Sequence, residues 1–231
     1  MQLTAEKSMQ GSPKQAGWLS IALFVLWILA FADAAILQSR VFPNPSDQFV
    51  PAKIQANLVV ATLGWLSQIA IGTAFFAFSF LLTEYLATPL SMLPRVACVA
   101  GIVAGVFLVA AGAGGQENVY VSVFSTPEQA GELARAIGTA DLMVITATNY
   151  WVAGGFRSTA AYAQSWAMLL WSLTALKTRT LPRILNWLGM IVAVLFGLTV
   201  WIGPLTGPIA FIGLLIWHLW LGMMFVRPKP A

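Results

Sequence analysis

Long apolar stretches separated by short polar breaks dominate the chain, and each has the length of a bilayer crossing rather than of one buried face of a soluble helix. The first runs from Gly17 to Leu37 and is apolar except for Ser20 and Asp33. The second, residues 54–83, carries no charge. It would form about 45 Å of helix at 1.5 Å per residue, so it must tilt or protrude. The third, 93–115, repeats small residues every four positions at Ala97, Gly101 and Gly105, the spacing that lets two helices approach closely and that predicts a helix-packing face. The fifth and sixth, 184–202 and 208–226, are joined by the tight Gly203-Pro204-Leu205-Thr206-Gly207 turn.

The polar breaks differ in kind. Residues 38–53 hold Pro43, Pro45 and Pro51 and read as a non-helical connection. Residues 116–141 hold Glu117, Glu128, Glu132, Arg135 and Asp141, with Pro127 just after Ser125-Thr126. That pattern predicts an exposed amphipathic helix leading into a fourth crossing near 155–176, with a bend at Gly154-Gly155. The expected fold is therefore all-α: one transmembrane domain over 1–231, a polytopic bundle of about six helices, with an outer amphipathic helix between the third and fourth. The amino-terminal stretch has a second reading as a cleaved secretory signal, with Lys7 and Lys14 ahead of the apolar run and Ala30-Phe31-Ala32 as the cleavage motif.

Composition excludes a soluble fold. Only 9% of residues are charged and 59% are hydrophobic, against roughly a quarter charged in ordinary soluble domains. The net charge of +4 comes from basic residues scattered at helix ends, without a run or a basic-aromatic stripe, so the expected partner is the lipid bilayer and not nucleic acid. Eight of the basic residues fall on one side of the six-crossing topology, Lys7, Lys14, Arg95, Lys177, Arg179, Arg183, Arg227 and Lys229. Four fall on the other, Arg40, Lys53, Arg135 and Arg157. This asymmetry predicts an inner-membrane protein with both termini in the cytoplasm. Cys98 is the single cysteine, which rules out an intramolecular disulfide.

Leu93-Pro94-Arg95, Gly101 and Val106 recur as Leu181-Pro182-Arg183, Gly189 and Val194 at one constant offset of 88, as do Leu81-Leu82 and Leu169-Leu170. The echo implies parallel repeats of the second–third and fourth–fifth hairpins, with a chance match as the alternative. At Leu181-Pro182-Arg183-Ile184-Leu185-Asn186-Trp187-Leu188-Gly189 the chain also resembles a family of uncharacterised bacterial six-helix integral membrane proteins, a domain of unknown function, mainly over residues 165–226. The same residues have a physical account: proline suits a first helical turn, arginine and tryptophan the interface, glycine close packing. The resemblance implies architecture and transfers no catalytic residue.

Candidate chemistry is sparse. One histidine excludes a His-Glu-x-x-His protease and a bis-histidine haem, one carboxylate well inside a crossing excludes an aspartyl dyad, and no Gly-x-Ser-x-Gly elbow occurs. The pattern argues against an enzyme, with no catalytic residue, metal ligand or cofactor expected. His218, between Trp217 and Leu219-Trp220 in the sixth crossing, reads either as an axial ligand or proton relay, or as a neutral ring bonded to another helix, for which Gln68 is at a similar depth. Toward the outer side lie Asp33, Glu117, Asn149 and Arg157, with Asp33–Arg157 the expected ion pair. Ligand or ion-pair candidates are thus Asp33, Arg157, Gln68, His218, Glu117 and Asn149. Among the ten tryptophans, Trp18, Trp151, Trp187 and Trp201 fall near predicted interfaces, while Trp27, Trp65, Trp166 and Trp217 fall deeper, facing a cleft, lipid or a partner.

The leading functional expectation is a non-catalytic membrane protein, either an accessory subunit packed against other membrane subunits or a binder of an apolar ligand. The alternatives are a small-solute transporter with an outward-facing polar site and a haem- or quinone-handling oxidoreductase subunit.

Overall fold

Where lipid offers no hydrogen-bond partners, an apolar stretch must satisfy its backbone within itself, and the helix is the local solution. The computed structural model describes residues 13–36, 39, 56–87, 92–124, 139–202 and 206–227, except for the side chains of 116–124, 139–143, 145–147, 149, 150, 200 and 201. Six helices make up these described residues: α1 (Pro13–Ile36), α2 (Leu58–Leu86), α3 (Leu93–Phe124), α4 (Thr139–Thr178), α5 (Arg183–Ile202) and α6 (Gly207–Val226). The chain is an all-α, multi-pass membrane-helical bundle. Helices α1, α2, α6 and the 93–115 portion of α3 are long and apolar enough to cross a membrane, and α5 holds a shorter apolar segment, Arg183–Thr199.

Proline marks the helix starts. Pro13 opens α1, Pro94 sits in the first turn of α3, Pro182 immediately precedes α5 and Pro208 lies in the first turn of α6. A missing N–H costs nothing where the helix has no acceptor for it. At its carboxyl end α4 closes with Arg179 in the left-handed region at φ 55, and the Thr180 N–H donates to the Ala175 carbonyl at 3.2 Å. This is the wrap that satisfies a terminal carbonyl and turns the chain sharply into α5. Asn186 then donates its side-chain amide to the Leu181 carbonyl at 3.2 Å, pinning the start of the next helix.

Each helix packs on its neighbours in chain order, and α1 closes on α6, so the six form a ring; α2 and α4 also touch across it. The contacts run antiparallel around the ring, for example Gly72 with Gly105 at one depth of α2–α3 and Thr83 with Pro94 at another. The starts of α1, α3 and α5 therefore share one face of the bundle, each with a proline followed by an exposed cation at Lys14, Arg95 or Arg183. These three helices also keep one register. Ala16, Ala97 and Leu185 are buried in one layer, and Leu23, Ala104 and Val192 two turns further in. Between them Ser20, Gly101 and Gly189 occupy corresponding positions.

The other three helices supply the centre. Phe78 on α2, Trp171 on α4 and Trp217 on α6 are fully buried, and Phe78 meets the two indoles edge to face at 5.7 and 6.2 Å. Edge-to-face stacking is the favoured arrangement for such rings and adds to their large area burial. Each of the three is followed by a buried polar residue, Ser79, Ser172 or His218. That residue faces the small position of the adjoining outer set: Ser79 lies against Gly101, Ser172 against Gly189, and His218 against Ser20. The arrangement is pseudo-threefold, with a solid aromatic layer across the ring.

The fourth-crossing region differs from the sequence expectation. Helix α3 continues past Gly115 to Phe124, and α4 begins at Thr139 and runs uninterrupted through Gly154-Gly155 for 40 residues. Its length of about 60 Å is twice the hydrocarbon thickness, so the polar residues assigned to a separate helix partly extend these two helices instead. Residues 125–138, with Glu128, Glu132 and Arg135, lie outside the described residues, as do most of 38–53 and the 203–205 part of the last turn.

Candidate functional site

On the side of the aromatic layer away from Lys14, Arg95 and Arg183, called outward from here, polar side chains appear on the interior stripes of α1, α2 and α4. On α1 the stripe Ser20, Leu23 continues through Trp27 and Ala30, which pack on the core, to Asp33. On α2 the buried series Phe78, Phe75, Ile71 leads outward to Gln68, and on α4 Trp171 and Met168 lead to Gln164, which is 1% exposed. By helical rise, Trp27 and Gln164 lie about 10 Å from the aromatic layer, Gln68 about 15 Å and Asp33 about 20 Å. Trp27 Nε1, Asp33 Oδ2, Gln68 Oε1 and Gln164 Nε2 are all buried without a hydrogen-bond partner. Ser172 Oγ in the layer and Asn186 Oδ1 on its other side are also unpartnered. Buried polar groups in folded proteins are nearly always paired, so a group of four beyond the layer calls for an explanation.

At the floor of this region is His218, wholly buried. Its Nδ1 is 3.1 Å from the Ser20 hydroxyl, and that hydroxyl donates to the His218 carbonyl at 2.8 Å. The imidazole meets Phe75 and Phe78 edge-on at 6.4 and 5.4 Å, while its Nε2 has no partner. Helices α1 and α6 are held tightly enough for this contact by a glycine pair: a Cβ on Gly17 would fall 2.8 Å from Phe225 Cβ, closer than side chains come, and one on Gly222 would fall 3.0 Å from the Gly17 carbonyl oxygen. Gln68 is not the partner of His218. It sits about two helical turns outward of Phe75, too far along α2 to reach the ring.

Asp33 and Arg157 reach similar depth but are not brought together; no ion pair joins them among the described residues. Helix α1 packs on α2 and α6, whereas Arg157 is on α4, whose neighbours are α3, α5 and α2. The Arg157 guanidinium lies over the Trp65 ring at 5.4 Å, a cation–π contact at the outer rim. Trp65 is held there by Gly115 of α3, against which its ring packs directly. Glu117 and Asn149 belong to α3 and α4, but their side chains lie outside the described residues.

The packing residues cluster at the α2–α3 seam. Ala97 is fully buried, Gly101 meets Ser79 and Trp171, and a Cβ on Gly105 would lie 2.7 Å from the Gly72 carbonyl. Of the deeper tryptophans, Trp217 is buried, Trp27 and Trp65 are half-buried, and Trp166 is exposed on the lipid-accessible surface with Trp18, Trp151 and Trp187. Sequence reasoning passed over Trp171, whose Nε1 donates to Thr83 at 3.1 Å, together with Ser172 and Gln164. The signal for them was the aromatic–polar dipeptide shared by α2, α4 and α6, legible once the helices are placed side by side.

Among the described residues, no group of three His, Cys, Asp or Glu could hold a metal ion. No family model, curated protein or solved structure matches the chain.

Proposed function

We propose that this chain is a non-catalytic membrane binding protein that accepts, from the outer side of the ring, a small ligand with hydrogen-bonding groups on a mainly apolar body. The observation that carries this reading is the set of orphaned buried polar atoms above a closed aromatic floor. It contains donors, Trp27 Nε1 and Gln164 Nε2, and acceptors, Gln68 Oε1 and Asp33 Oδ2. A ligand bearing both kinds of group would satisfy them, and a buried polar group left unmade costs about 1–3 kcal/mol. Apolar surroundings with a few convergent polar groups are the ordinary makeup of a small-molecule site.

In this reading six helices cross the cytoplasmic membrane with both termini inside. The eight-to-four basic asymmetry supports it, as does the placement of Lys14, Arg95 and Arg183 on one face. Binding is favoured over passage because Phe78, Trp171 and Trp217 fill the ring centre, and a transported solute would have to part them.

The test is native mass spectrometry of the purified chain. The wild type should carry a small non-lipid adduct, and Gln68→Leu/Gln164→Leu should lose it while remaining folded. An adduct-free wild type, or an adduct indifferent to the double substitution, would overturn the reading.

A further inference from the structure

The Ser20 hydroxyl has one proton, and the His218 carbonyl 2.8 Å away can only accept it. The same oxygen is 3.1 Å from Nδ1, so that contact is a hydrogen bond in which the ring donates from Nδ1 to Ser20. In the neutral imidazole a proton on Nδ1 leaves a bare lone pair on Nε2. Among the described residues nothing satisfies it. Trp171 Nε1 is committed to Thr83, the Ser172 hydroxyl lies against Gly189 and makes no hydrogen bond of its own, and the free donors of Trp27 and Gln164 lie about two helical turns outward. Ser20 thus fixes an acceptor on a ring that packs among Phe75, Phe78 and Trp217, whose ring centroids are 6.4, 5.4 and 5.1 Å from the imidazole.

We propose that His218 Nε2 is the innermost contact of the binding site and selects ligands that carry a neutral O–H or N–H donor on a small aromatic body. This rests on the binding reading above and gives it a ligand class. An acceptor without a local charge partner favours a neutral donor, and the ring edges around it favour a flat apolar body over a charged or aliphatic one. A ligand about 10 Å long would then bring its opposite, more polar end to Trp27 and Gln164.

His218 is the single histidine, so imidazole 15N labelling of the full chain in nanodiscs reports one site without assignment. The probes are phenol and anisole, its methyl ether, which keeps the ring and lacks the donor. The free protein should show Nδ1 protonated and Nε2 bare. Phenol should shift the Nε2 resonance, anisole should not, and phenol should bind about tenfold more tightly, as one hydrogen bond to a buried acceptor implies. His218→Phe, which keeps an aromatic ring, should erase that preference. A protonated Nε2, an Nε2 signal already hydrogen-bonded by water and indifferent to phenol, or a preference surviving in His218→Phe would each overturn the assignment. Gln68→Leu/Gln164→Leu separates the two levels of the argument. If that variant loses the wild-type adduct while Nε2 never responds to phenol, the site stands and the role of His218 falls. If the adduct is indifferent to the variant and Nε2 never responds, both fall.

Discussion

Ser20 and His218, 198 residues apart in the chain, hold each other by two contacts: the serine hydroxyl donates to the histidine's own carbonyl at 2.8 Å and accepts from its ring at 3.1 Å. The pair joins the first helix to the last and so closes the ring. It is also the one of the three equivalent central contacts in which the facing small residue is serine rather than glycine, because the residue opposite it is an imidazole with a proton to place.

Removing the serine hydroxyl should therefore leave a buried donor unpaired. Ser20→Ala is expected to cost on the order of 1–3 kcal/mol, read as a lowered unfolding midpoint in detergent. In a His218→Phe background the same substitution should cost much less, since the group it serves is gone. Additive losses in the double mutant would mean that the two residues do not act as a pair.

Close approach and open space make opposite demands on glycine. Gly101→Leu and Gly72→Leu should cost more than about 3 kcal/mol or block assembly, because Gly101 is packed on Ser79 and Trp171 and a Cβ at Gly72 would already lie 2.6 Å from the Gly105 carbonyl. Gly154→Ala and Gly155→Ala should be neutral or gain up to about 1 kcal/mol, since a Cβ there meets nothing within 4 Å and alanine is the better helix former. Equal thermal stabilities across the four variants would contradict the packing described for α2–α3.

Arg179 occupies a left-handed backbone position at φ 55 where the chain turns from α4 to α5. A side chain pays roughly 1 kcal/mol or more for that conformation and glycine does not. Arg179→Gly should raise the unfolding midpoint accordingly, whereas Arg179→Val should lower it. A drop in both would show that the arginine side chain, and not the backbone, stabilises this turn.

Orientation rests on charge. A reporter fused after Ala231 should be active only in the cytoplasm, and neutralising Arg95 with Arg183 should weaken that preference, because both stand at helix starts on the face that the proposed orientation turns to the cytoplasm. Reporter activity confined to the outside would invert the whole assignment, including the side from which a ligand enters.

Helix positions were largely legible in the sequence, because an apolar stretch of crossing length has only one way to satisfy its backbone in lipid, and prolines at 13, 94, 182 and 208 mark where helices begin. The offset of 88 aligns residues that α3 and α5 bury at matching positions, Ala97 with Leu185 and Ala104 with Val192. Partners were a different matter. Asp33 and Arg157 looked like a pair because each is a costly charge at similar depth, yet which helices adjoin is set by the order in which the ring closes, and that order places α1 between α2 and α6. His218 and Gln68 looked matched by depth for the same reason, while Ser20, a small residue in an apolar run, was the true partner. Sequence determines how a membrane helix forms and how deep each residue sits, since those depend on composition along one axis; tertiary structure decides what each polar group meets, since that depends on the rotation and adjacency of whole helices, settled by the fit of glycine and alanine seams against bulky neighbours.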